Sequence, residues 1–271
     1  MARKYGFIGA GNMGEAIIGG IIRSGEIAPA DIIASDLDSG RLRKLADDYG
    51  INVTFTNTQV AEDADILFIC VKPHVYFSVI DEIRGAVKPG AIIVSIAAGI
   101  SLAAVAGRFG MDTKVARAMP NTPSLVNQGM AAICTTANMT TEDIGLVLQI
   151  FGSIGQARVI PENLFDAFIG VAGSAPAYVF VFIEALADAG VKYGLPRHLA
   201  QQFSAQAVLG AAEMVLKTGM HPGALKDQVC SPGGTTIEAV CELARQGFSG
   251  AVIDAVSACV EKSQKMGKNI I

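Results

Sequence analysis

Two short runs of this 271-residue chain carry residue types and spacings suited to holding anions. Near the C-terminal end stands Ser231-Pro232-Gly233-Gly234-Thr235-Thr236, leading into Ile237-Glu238-Ala239-Val240. Proline and paired glycines stop one helix, and the two threonines are suited to cap the next. Such a turn aims several backbone N–H groups at one spot, where a small anion fits beside the Thr235 and Thr236 hydroxyls. At the other end, Gly9-Ala10-Gly11-Asn12-Met13-Gly14 follows an apolar segment and precedes a helical pattern.

This second run is G-x-G-x-x-G in its required strand–turn–helix context. Gly9 permits the tight turn, Gly11 lets a pyrophosphate approach the backbone, and Gly14 lets helix pack on strand. The alternative is a tight turn without a ligand. Asp36, 22 positions after Gly14, ends the second strand, where an acid hydrogen-bonds an adenosine ribose. A carboxylate there repels a 2′-phosphate and favours NAD over NADP. Arg41 and Arg43 are near enough in sequence to counter it, and an ordinary capping loop around Asp36 and Asp38 is the other reading. Asn57 is suited either to reach the adenosine or to cap a helix beginning near Thr58.

Further loops follow strands at the edge where open α/β sheets bind ligands: Val71-Lys72-Pro73-His74, Ala97-Ala98-Gly99 and Ala118-Met119-Pro120-Asn121-Thr122-Pro123. Small residues there admit a flat ring. Lys72 either meets a phosphate or is solvated, and His74 is equally compatible with a plain surface position. The candidate cofactor-binding set is Ile8, Gly9, Ala10, Gly11, Asn12, Met13, Ser35, Asp36, Asn57, Cys70, Val71, Lys72, Pro73, Ala97 and Ala98, with NAD or NADP as ligand.

These residues need a frame. The first half alternates short apolar strands with helices. Strands are predicted over 4–8, 31–35, 52–54, 66–71, 91–96, 114–119, 130–135 and 157–160. Helices are predicted over 13–24, 39–49, 75–84 and 140–151. This is the pattern of a doubly wound sheet. Beyond Pro161 only helices are predicted, over 162–172, 176–193, 196–218, 222–229, 235–246 and 248–268. The fold class is therefore α/β: a Rossmann-like domain, 1–160, followed by an all-helical domain, 161–271. The helical part carries more apolar surface than so small a bundle hides alone, which implies completion by another subunit.

Composition agrees with a buried globular protein, 51% hydrophobic and 17% charged. The net charge of −4 gives no electrostatic reason for a nucleic-acid or anionic-membrane partner. The five cysteines are widely spaced, without C-x-x-C, as in a reduced cytosolic protein. The three histidines are far apart, and no metal site is expected. The start reads as a strand rather than a signal peptide. The apolar run 171–191 is broken by Ser174, Pro176, Glu184 and Asp188, and reads as a buried bundle helix rather than a membrane span.

Taken together these motifs resemble the pyrroline-5-carboxylate reductase family over nearly the whole chain. The resemblance is carried by 6–14, Val71-Lys72-Pro73, Ala97-Ala98-Gly99 and Asn121-Thr122-Pro123. It continues through Gly173-Ser174-Ala175-Pro176-Ala177-Tyr178, 186–191, and His221-Pro222-Gly223 through Leu225-Lys226-Asp227 to the 231–236 turn. It implies NAD(P)H-dependent reduction of 1-pyrroline-5-carboxylate to L-proline, the last step of proline biosynthesis. It also implies a cytoplasmic homodimer with interlocked helical domains, and further assembly into rings.

The implied substrate contacts are Glu162, Gln228, Gly233, Gly234, Thr235 and Thr236. The family often has Asn where Gln228 stands, and neutral residues at the Asp36 position in members using NADPH. Thr236 is the implied catalytic residue, orienting and polarising the ring nitrogen; a helix cap is its structural alternative. Glu162 either favours an iminium by its charge or caps the helix beside it. The competing readings are another imine or β-hydroxyacid reductase, and a nucleotide-sensing oligomer without turnover.

Overall fold

The computed structural model describes residues 3–268. Eight strands form one sheet: β1 (Tyr5–Ile8), β2 (Ile32–Ser35), β3 (Asn52–Thr54), β4 (Ile66–Ile69), β5 (Ile92–Ser95), β6 (Lys114–Met119), β7 (Gly129–Thr135) and β8 (Gly155–Val159). Their order is β3-β2-β1-β4-β5-β6-β7-β8. Strands β1 to β6 are parallel, as a doubly wound sheet requires. β7 runs antiparallel to β6, and β8 is parallel to β7. The order reverses at β1/β4, the switch point beside which ligands bind.

Helices cover both faces. On one lie α1 (Asn12–Ser24), α2 (Ser39–Tyr49) and α6 (Thr141–Gly152). Ile17, Ile18, Ile21, Leu45 and Phe151 there meet Phe7 and Phe68, whose rings stack at 4.5 Å. On the other lie α3 (Asn57–Asp63), α4 (Tyr76–Ile83) and α5 (Leu102–Phe109), with Val60, Ile80, Ile83 and Val105 against Leu67, Ile69 and Ile93. This double cover explains the fully apolar strands. α5 is absent from the predicted helices because three alanines and a glycine blunt its periodicity. Ser101 caps it by accepting the Ala104 N–H at 3.1 Å.

The predicted helix 162–172 is instead a 3₁₀ turn (Glu162–Leu164), a short α7 (Phe165–Phe168) and a π-helical turn (Ile169–Gly173). Phe165 packs with Ala132 and Cys134 of the sheet. The remaining helices are α8 (Ala175–Lys192), α9 (Arg197–Thr218), α10 (Pro222–Val229), α11 (Thr235–Arg245) and α12 (Phe248–Lys268).

The chain divides into two compact units. One runs to Gly173 and takes up the chain again from Cys259; the other is Ser174–Ala258. In the second, α8 packs on α9. Within the single chain α8 has Ala187 as its one buried residue. Phe180 and Val181 stand 63% and 66% exposed. A few helices cannot surround one of their own, so its apolar side faces outward.

Candidate active site

One group of candidate site residues lies at the carboxyl ends of β1, β2, β4 and β5, within the first unit. Gly9 has φ +99°, a conformation costly for any side chain, and an added Cβ would meet the Cys70 backbone at 2.9 Å. Gly14 packs so closely that a Cβ would lie 2.5 Å from the Gly9 carbonyl oxygen. Gly11 differs. A Cβ there would meet nothing within 4 Å, so the space above it is open. Gly11 is also the N-cap of α1 and offers no side chain to cap it. By helix geometry the first-turn N–H groups, those of Asn12 and Met13 among them, lack intrahelical acceptors. Open space, unpaired amides and a positive helix end fit a dinucleotide pyrophosphate.

Asp36 is drawn onto this loop. Its Oδ2 accepts the Ala10 N–H at 2.7 Å, and its Oδ1 accepts the Asp38 N–H at 2.9 Å. Its side chain is 12% exposed, and Arg41 lies 3.9 Å away. Asp38, not Asp36, caps α2 through Gly40 and Arg41. The Ser35 hydroxyl donates to Asn57 Oδ1 at 2.8 Å, and Asn57 Nδ2 donates to Glu82 at 3.0 Å. Asn57 is therefore the first residue of α3 and not its cap, which is Thr56.

Ile8 is buried beneath the turn, and its carbonyl accepts the Cys70 N–H at 2.8 Å. This bond brings the Gly9 and Val71 loops together. Burial pushes the Cys70 thiol up, well away from thiolate. Lys72 and His74 are exposed, and Pro73 opens a 3₁₀ turn. Ala97 is buried and Ala98 half-buried at the end of β5.

Glu162 stands in the same unit. Its Oε1 accepts from Arg117 Nη1 at 2.8 Å and from the Leu102 N–H at 2.8 Å. The carboxylate therefore supports the start of α5 rather than capping its own segment, and its charge is already paired. Arg117, 8% exposed, also lies over the Phe165 ring at 4.5 Å. The sequence reading passed over Arg117, although a lone arginine inside an apolar strand (Lys-Val-Ala-Arg-Ala-Met) is a usable signal.

A separate group of candidate site residues lies in the second unit. Gly233 has φ +66°, and the Gly234 N–H closes the turn on the Ser231 carbonyl at 3.0 Å. A Cβ on Gly234 would strike Ser231 Oγ at 2.4 Å. Gly234 is the N-cap of α11, without a side-chain capping bond. The structure thus removes the capping alternative for Thr235 and Thr236. They are the first two helical residues, and their hydroxyls have no hydrogen-bond partner among the described residues. Gln228 is exposed near the end of α10, its amide 3.9 Å from the Met220 sulfur.

Comparison with known proteins gives two family matches. Residues 162–266 match the family described as "Pyrroline-5-carboxylate reductase dimerisation", and residues 4–99 match "NADP oxidoreductase coenzyme F420-dependent". The pyrroline-5-carboxylate reductase of Escherichia coli is 51% identical over 269 residues, covering 99% of this chain and 100% of the relative. That of Arabidopsis thaliana is 41% identical, covering 98% and 96%. Among solved structures, the Plasmodium falciparum pyrroline carboxylate reductase with NADP bound superposes with a TM-score of 0.88. It is 34% identical, with 98% of each chain covered. The Coxiella burnetii pyrroline-5-carboxylate reductase gives 0.92 at 30% identity, covering 98% of this chain and 99% of that one. With relatives at this identity over nearly its full length, the chain belongs to the pyrroline-5-carboxylate reductase family.

Proposed function

We propose that the protein reduces 1-pyrroline-5-carboxylate to L-proline with NAD(P)H, the closing step of proline biosynthesis. One observation of the site carries this best: the amide-rich start of α11, with two uncapped threonine hydroxyls behind Gly233 and Gly234. A small carboxylate matches the amides, and a ring nitrogen matches a hydroxyl that is both donor and acceptor. NAD(P)H, when bound, supplies the hydride that the imine carbon receives.

The chain's own residues position the reactants. The N–H groups of Thr235 and Thr236 hold the substrate carboxylate against the Gly233-Gly234 turn, whose own Gly234 N–H is spent on the Ser231 carbonyl. Thr236, the catalytic residue in this reading, aligns the nitrogen, its hydroxyl oxygen accepting the N–H of the protonated imine, with Gln228 completing the substrate contacts. The first-turn amides of α1 and the loops at Asn57, Val71-Lys72-Pro73 and Ala97-Ala98 hold the nucleotide. Glu162, paired with Arg117, acts through the start of α5 and contributes little net charge. A cyclic imine is basic enough to arrive largely protonated, so orientation supplies most of the rate.

Residues 1–160 serve the nucleotide and 161–271 the substrate and subunit contacts, a division supported by the family match beginning at 162. We assign the exposed side of α8 to a second copy of the chain, with dimers assembling further into a ring. The stretch Glu162–Lys192 is long and apolar enough to cross a membrane by length and composition, with mean hydropathy 1.7. The dimerisation match over the same stretch supports a protein partner there. The deciding assay follows NAD(P)H oxidation with pyrroline-5-carboxylate against other cyclic imines and keto acids. Turnover confined to the keto acids overturns the reading; binding without any turnover favours a nucleotide sensor.

A further inference from the structure

We infer that this protein selects NADH over NADPH, and that Asp36 is the specificity-determining residue. The inference rests on the dinucleotide reading above and extends it to the identity of the cofactor. Asp36 stands at the end of β2, beside the switch point, where the adenosine ribose of a nucleotide bound across Gly11 must lie. Its carboxylate is not a mobile surface group. The Ala10 N–H at 2.7 Å and the Asp38 N–H at 2.9 Å fix its two oxygens against the glycine loop. Each oxygen keeps a further lone pair, so the group accepts from ribose hydroxyls without moving.

A 2′-phosphate cannot use that arrangement. It brings a charge of about −1.5 to −2 near neutral pH and no proton to donate. Placed at hydrogen-bonding range from a fixed carboxylate of the same sign, it is repelled. The neighbouring cations do not reverse this: Arg43 is exposed on α2 and makes no ion pair with Asp36 among the described residues. Arg41 is shared between Asp36 at 3.9 Å and Asp38 at 3.7 Å, two carboxylates on one guanidinium. Lys44, the next cation but one along α2, is paired with Glu15. A third carboxylate, Glu82, is linked through Asn57 to Ser35, the residue before Asp36. Among the described residues, Arg41 is the cation ion-paired with Asp36, and acids outnumber it.

The test is calorimetric titration of the full chain with NADH and with NADPH, without substrate. NADH is expected to bind at least about tenfold more tightly. Asp36→Asn keeps an acceptor for the Ala10 N–H while removing the charge. It should tighten NADPH by about tenfold and change NADH by much less. Asp36→Ser, tested in parallel, covers loss of the asparagine variant to misfolding. The wild-type preference should shrink with added salt, because repulsion at a partly exposed site is screened. Equal or tighter NADPH binding by the wild type overturns the inference, as does an Asp36→Asn change that shifts both nucleotides alike. NADH preference in a protein that fails to reduce pyrroline-5-carboxylate supports this inference while removing the reductase reading. Equal binding of both with normal turnover does the reverse.

Discussion

Arg117 and Glu162, 45 positions apart, form a 2.8 Å ion pair that ties the fourth residue of β6 to the chain leaving the sheet. The arginine is nearly buried and the glutamate about one-third exposed. Removing the arginine leaves a half-desolvated carboxylate beside Cys134 and Phe165. Arg117→Ala should therefore lower stability by about 1–3 kcal/mol, less than for a wholly buried pair. Urea unfolding measures it, and a double cycle with Glu162→Gln should show coupling. Strict additivity would mean that the pair stabilises nothing.

Thr236→Ala should reduce turnover with pyrroline-5-carboxylate by at least about tenfold, roughly 1.4 kcal/mol of barrier. Because Gly234 and not Thr236 caps α11, the thermal midpoint should hardly move. A large midpoint drop with unchanged kcat would restore the threonine to a structural role and remove it from the site.

Gly11→Leu should abolish nucleotide binding and leave the fold intact. A Cβ there meets nothing within 4 Å, so the side chain grows into the open space above the loop and fills the cradle. Calorimetry with NADH and circular dichroism on the same sample check both halves. Normal nucleotide affinity would mean that the loop is misassigned.

Alkaline pH should destabilise the protein through its buried thiols. Burial first, then the nearby Glu162, pushes Cys134 from an ordinary 9.0 up to about 12. Burial raises Cys70 in the same direction. Above pH 9 the unfolded chain ionises these thiols while the folded chain keeps them protonated. Their contribution is thus complete below about pH 9 and is lost progressively as pH rises toward 12. Thermal midpoints across that range test this. In the native protein at neutral pH, the exposed Cys241 should alkylate well before Cys134.

The sequence alone determined the features that are local. A turn needing positive φ announces Gly9, and a paired glycine does the same for Gly233. Strands covered on both faces appear as unbroken apolar runs, and Thr140 with Asp143 marks the start of α6 through a capping box. These follow from steric rules and solvent contact that act within a few residues.

Tertiary structure decided what depends on partners distant in sequence or on a single backbone angle. Sheet order brings Asp36 to Ala10, 26 positions away, and so fixes a carboxylate whose direction the sequence left open. The same order pairs Arg117 with Glu162 and takes that charge out of play. One extended residue, Gly234, takes the N-cap position of α11 and leaves the Thr236 hydroxyl without a capping role. The exposure of α8 is likewise a property of packing. Hydrophobicity says that a face must be covered, but whether its own chain covers it depends on how many helices fold around it.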